Sequence, residues 1–159
     1  MVYAIAAYHD LGLTGPRAIH HITSGKILMA DARLKRWFSP EQLRMMKDAV
    51  EDHRASASRA PRSIYGKIVA EADRDLEPTT VIRRTIQFGV ANYSSLNREG
   101  HWERMCKHLE EKYSTRGYIH LWIRGSQNER WLTELRQLIE HPDELRPIFE
   151  RIFKEEIAK

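Results

Sequence analysis

Apolar residues recur at intervals of three and four along most of this chain, a period that suits helices packed side by side and little else. The segment FSPEQLRMMKDAVEDHR, residues 38–54, is the sharpest case. Ser39 stands directly before Pro40, whose fixed φ and missing N–H suit a first helical turn. Gln42 follows three residues after the serine, which completes a capping box. Leu43, Met45, Met46 and Val50 then supply the buried side.

The same period runs through RAIHHITSGKILMADARLKRW, residues 17–37, which Pro16 opens as a first-turn residue. Ile19, Ile22, Ile27 and Leu28 give it an apolar side. ASASRAP, residues 55–61, reads as a loop. RSIYGKIVAEADRD, residues 62–75, is a further helix with Ile64, Ile68 and Val69 inward. After Pro78, TTVIRRTIQFGVANY continues as helix despite its β-branched residues, because no turn divides it. Three more amphipathic helices follow at about 98–115, 126–140 and 143–157. RGYIHLWIRG, residues 116–125, alternates enough for a short strand or a buried helical turn. The fold class is all-α.

No apolar run approaches the roughly 20 residues that cross a bilayer. The first eight residues are apolar but carry neither a basic leader nor a small-residue cleavage site, so they do not read as a signal peptide. Cys106 is the one cysteine, so no internal disulfide can form, and a reducing, cytoplasmic setting is expected. The net charge of +4 comes from Lys and Arg interspersed with Glu and Asp, not from a patch or tail. That pattern argues against a dedicated nucleic-acid binder and is compatible with an anionic small substrate.

Five positions draw attention as ligands: His9, Asp10, His20, His53 and Asp73. The first two are adjacent where an apolar helix, residues 1–9, runs into LGLTGP. At a helix end the chain can turn two neighbouring side chains toward one point, which neighbours inside a helix do not do. The other three lie on later helices whose apolar sides share a core. If those helices converge, imidazoles and carboxylates from four segments meet around a divalent cation. A mixed nitrogen and oxygen shell suits Mn, Fe, Co, Ni, Zn or Mg without choosing among them. Taken singly, each residue also has a bland reading: a chance His-Asp pair, a satisfied core imidazole, a solvated charge cluster or a helix-end acid.

The order of these pieces resembles the HD-domain superfamily of metal-dependent phosphohydrolases over about residues 2–85. AIAAYHDLG resembles that family's apolar helix ending in the His-Asp pair. HHITSGKIL resembles its next helix, with His20 one turn above Ser24. AVEDHR resembles the later segment ending in histidine, and SIYGKIVAEADRD the helix carrying the last aspartate behind an alanine. The resemblance implies an HD-like helical bundle with additional C-terminal helices. It makes 1–159 a single HD-like domain, with the metal-site core in 1–85 and a C-terminal helical extension in 86–159. It implies hydrolysis of a phosphate ester of a soluble metabolite, plausibly a nucleotide, by metal-activated water. Asp10 would orient that water, and His9, Asp10 and Asp73 would hold the metal. His20 and His53 would hold a second ion or touch substrate phosphate. Of the basic residues in the matched segments (Lys26, Arg54, Lys67 and Arg74), Arg54 is the candidate phosphate partner.

One feature of the family is missing. Its first metal-ligating histidine lies on a helix upstream of the His-Asp pair, whereas eight residues precede His9 here and none is histidine. The expectation is that Met1 is internal to a longer natural protein. The alternatives are a variant shell completed by water or another residue, and a non-catalytic or degenerate module that binds a phosphorylated ligand. His101, His108, His120 and His141 have no motif around them that would supply the missing ligand.

Overall fold

A computed structural model describes residues 1–57 and 59–158. Ser58, inside the loop expected at 55–61, and Lys159 lie outside the described residues. Every regular element among the described residues is helical, so the all-α class stands. The eight α-helices are α1 (Val2–Tyr8), α2 (His20–Ala30), α3 (Pro40–Glu51), α4 (Ile64–Ala72), α5 (Pro78–Asn92), α6 (Arg98–Tyr113), α7 (Gln127–Glu140) and α8 (Pro142–Ile157). Short 3-10 turns cover Leu11–Thr14, Arg17–Ile19 and Leu34–Arg36. The chain divides into two compact units, Met1–Arg74 and Asp75–Lys159.

In the first unit α3 packs against α1, α2 and α4. Its start follows the sequence closely: the Ser39 side chain accepts from the Gln42 N–H, and the Gln42 side chain accepts from the Ser39 N–H. Ser39→Ala removes one of these bonds and orphans a helix N–H. It is expected to cost about 1 kcal/mol, read as a lower urea midpoint with unchanged far-UV circular dichroism. The core of this unit is Ile5, Leu28, Leu43, Met46, Ala49, Val50 and Val69.

Several positions differ from the sequence expectation. Residues 17–37 do not form one helix, and Pro16 stands before a 3-10 turn instead of inside a first α turn. The break after Ala30 has a visible cause. Asp31 takes an extended backbone and accepts from the Arg33 N–H, the Arg33 guanidinium and the Tyr8 hydroxyl. A short acid that bonds the backbone two residues on competes with helix continuation. The Arg33 guanidinium, with Tyr8, holds the Asp31 carboxyl well below the usual carboxylate range. Ile19, Ile22, Met45 and Ile64 are exposed, not buried. Ile19 lies in the 3-10 turn before α2 and Ile64 is the first residue of α4, so at these two the helical period does not extend to the residue.

In the second unit α5 packs against α6, α7 and α8, around Ile82, Ile86, Met105, Leu109, Leu135 and Phe149. The stretch 116–125 forms neither a strand nor a helix. It folds back on α6, with Tyr118 and Ile119 donating N–H bonds to the Glu111 and Lys112 carbonyls. Gly117 permits this, because a Cβ there would lie 2.6 Å from the Lys112 carbonyl carbon. No helix among the described residues is long and apolar enough to cross a membrane.

Candidate metal centre

Helix α1 ends at Tyr8, and His9 still has helical backbone angles. Asp10 leaves them, at φ −112° and ψ 5°, and the chain drops into the 3-10 turn Leu11–Thr14. That turn is pinned to α2: the Gly12 N–H donates to Ser24 Oγ at 2.8 Å. The approach is so close that a Cβ at Gly12 would stand 2.2 Å from the His20 carbonyl oxygen. Ser24, one turn below His20, therefore fixes where the His-Asp pair points.

Three histidines converge beside this turn, and all are oriented in the same way. Nδ1 of His9 is 2.6 Å from the Ala6 carbonyl oxygen, Nδ1 of His20 is 2.7 Å from that of Arg17, and Nδ1 of His53 is 2.6 Å from that of Val50. A carbonyl oxygen only accepts, so each Nδ1 must carry the hydrogen. In the neutral rings every Nε2 is then a bare lone pair. Those lone pairs face one another and two carboxylates. His20 Nε2 and His53 Nε2 are 3.1 Å apart, and Asp10 Oδ1 lies 3.3 Å from the first and 3.4 Å from the second. On the other side of the same carboxylate, Asp10 Oδ2 is 3.6 Å from His9 Nε2, which is 3.2 Å from Asp73 Oδ1.

Lone pairs in such contact repel unless positive charge sits among them. Burial pushes the His53 imidazole below its ordinary pKa, against a smaller opposing effect of its Val50 hydrogen bond, so His53 is a poor place to store a proton. A metal ion answers the same need. Two ligand atoms each about 2.1 Å from one ion stand about 3.0 Å apart at a right angle and about 3.4 Å apart at the tetrahedral angle. The 3.1, 3.3 and 3.4 Å edges of the Asp10, His20 and His53 triangle fall in that interval. These three residues can hold a metal ion.

The environment is asymmetric. His20 and His53 are buried, whereas the side chains of Asp10 and Asp73 are 42% and 41% exposed. The imidazoles form the floor and the carboxylates the edge that meets solvent. All five predicted ligand positions are thus brought to one place, from the end of α1, the start of α2, the end of α3 and the end of α4. Arg54 lies next to His53, and its Nη1 donates to the Ala18 carbonyl at 2.6 Å, tying the chain after α3 to the turn before His20. Arg74 is partly buried beside Glu71 and Asp73, and its desolvation lowers its pKa. His101, His108, His120 and His141 belong to the second unit.

One part of the site had no counterpart in the sequence reading. Arg62 donates its backbone N–H and its Nε to buried Asp52, and its guanidinium also meets Asp48 and Glu51. This clamp holds the last turn of α3 and with it His53. A charged run, EDHR, followed eight residues later by arginine was its only trace in the sequence.

No protein-family model, no curated protein and no solved structure matches the chain.

Burial lowers the pKa of His21, His53, His101 and His108. Their unfolded value is about 6.5, so between that pH and the lower folded values the unfolded chain binds more protons than the folded one. Stability is therefore expected to fall as the pH drops from 7.5 to 5.5. Urea midpoints taken in chelator, to remove any contribution from metal, check this; an unchanged or higher midpoint at pH 5.5 would contradict it.

Proposed function

We propose that the chain is a metal-dependent phosphohydrolase of the HD-domain type, acting on a phosphate ester of a small metabolite such as a nucleotide. The observation that carries this reading is the convergence of the Nε2 atoms of His9, His20 and His53 on the Asp10 and Asp73 carboxylates, from four separate segments. His9, Asp10 and Asp73 would hold one ion, as the resemblance implies. His20 and His53, with Asp10, would hold a second ion, or the two imidazoles would contact the substrate phosphate. A divalent ion held there lowers the pKa of water and polarises the phosphoryl oxygen.

The protein's own groups do the rest. Asp10 offers one oxygen to each half of the site, and its exposed edge accepts a hydrogen bond from the attacking water, which orients it in line with the ester bond. Arg54, adjacent to His53, supplies fixed positive charge for the phosphate. An imidazole without an ion to bind can carry a proton to the leaving oxygen. Water is consumed, the P–O ester bond breaks, and an alcohol and phosphate are released.

The test is phosphate release from an aryl phosphate and from nucleoside mono-, di- and triphosphates, with the chain loaded in turn with Mn, Fe, Co, Ni, Zn or Mg. Turnover with at least one metal, abolished by chelator and restored by adding that metal back, is the expected result. Binding of these ligands without turnover under any loading would instead make the chain a phospho-ligand-binding module.

A further inference from the structure

The second unit carries a guanidinium with no acidic partner among the described residues. Arg104, on α6, lies against α5 in a notch that Gly89 creates: a Cβ at that glycine would be 2.8 Å from both Nε and Nη2 of the arginine. Of its five N–H groups one is used, from Nη2 to the Thr85 carbonyl oxygen. Nε is buried with no acceptor. Among the described residues no carboxylate pairs with Arg104, and burial lowers its pKa. Arg136 likewise donates to a carbonyl oxygen, that of Tyr113, whereas three other arginines that reach across to a neighbouring element meet carboxylates. Arg62 meets Asp48, Glu51 and Asp52; Arg83 meets Glu155 and Glu156; Arg146 meets Glu99 and Glu150.

Two rings flank this charge. The Phe88 and Tyr93 centroids are 5.8 and 5.5 Å from the guanidinium carbon and 6.2 Å from each other. Cation–π attraction offsets part of the cost of an unpaired charge. Packing alone would favour covering those rings, yet Phe88 is 54% and Tyr93 46% exposed. A partly desolvated cation with unused donors, bordered by half-open aromatic faces, is suited to receive an anion attached to a flat apolar body.

We propose that Arg104, Phe88 and Tyr93 form an anion-binding site in the second unit, taking a phosphate or carboxylate borne on an aromatic ring. The anion supplies the counter-charge that the protein withholds, and the ring packs between Phe88 and Tyr93, whose planes are tilted 57° apart, with its face to one and its edge to the other. This site is independent of the metal centre and of its proposed chemistry.

An NMR titration at fixed ionic strength tests it, in chelator so that the metal centre is silent. The probes are phenyl phosphate, benzoate, inorganic phosphate and acetate. Phenyl phosphate or benzoate should saturate at millimolar concentrations and move the Arg104 Nε–H and the Phe88 and Tyr93 ring resonances. Each should bind about tenfold more tightly than the matching anion without a ring, the usual worth of one aromatic contact. The tighter of the two ring compounds identifies the anion as phosphate or carboxylate. Arg104→Met, which keeps the stem and removes the charge, should abolish the shifts. Phe88→Ala and Tyr93→Ala change half-exposed rings and leave the core intact; each should weaken binding while the circular dichroism is unchanged, so the test survives if Arg104→Met fails to fold. Absence of shifts at these residues, equal affinity with and without the ring, or undiminished binding by folded Phe88→Ala and Tyr93→Ala chains would each overturn the proposal.

Discussion

Replacing Asp10 with alanine is expected to abolish metal-dependent phosphate release, by about a thousandfold or more, and to take metal binding with it. Asp10 is the one residue common to both halves of the cluster. Oδ1 faces His20 and His53 while Oδ2 faces His9. Removing it leaves the His9–Asp73 pair on one side and the His20–His53 pair on the other, with no carboxylate shared between them. Its side chain is 42% exposed, so the fold should tolerate the change. Steady-state hydrolysis of an aryl phosphate, beside the circular dichroism of the same sample, separates lost chemistry from lost structure. A well-folded Asp10→Ala chain that turns over at the wild-type rate would remove Asp10 from the proposed mechanism.

Gly12→Ala should act in the opposite order, on the fold first and the site second. The added carbon would meet the His20 carbonyl oxygen at 2.2 Å, the Ser24 nitrogen at 2.7 Å and Ser24 Oγ at 2.9 Å. Two of these are backbone atoms of α2 and cannot swing aside as a side chain could. The turn after Asp10 must lift away, breaking the bond from the Gly12 N–H to Ser24. We expect a loss of about 3 kcal/mol, through overpacking and one orphaned buried hydroxyl. Because the same turn aims His9 and Asp10, metal affinity should fall by at least about tenfold in the fraction that remains folded. Urea unfolding with and without metal measures both effects. A variant as stable as the parent would mean that α1 and its turn are held by something other than the Gly12–Ser24 contact.

What could be seen in the sequence, and what could not, follows the range of the interactions. The α3 start was legible because a capping box is local: Ser39, Pro40 and Gln42 lie within four residues and satisfy one another. The ligand positions were legible because each sits at a helix end or a fixed helical spacing, as His20 does above Ser24. The end of α2 was not. Asp31 stops the helix with the help of Tyr8, twenty-three residues earlier, a partner that no local pattern reveals. The Arg62 clamp on Asp52 escaped for the same reason, since its donor lies across a loop that reads as featureless. The stretch 116–125 showed alternation without forming a strand. Alternation marks which side chains are buried, not whether a neighbouring strand exists to pair with, and here the chain pairs with the end of α6 instead.

The proposed function requires a metal ion lying among the Nε2 atoms of His9, His20 and His53. The most direct measurement is the metal content of the purified chain after loading with each divalent transition metal at pH 7.5 and exhaustive dialysis. One or two ions per chain, removed by chelator and absent from the Asp10→Ala chain, is the predicted result. A chain that retains no ion under any loading, with its helices intact, would contradict it.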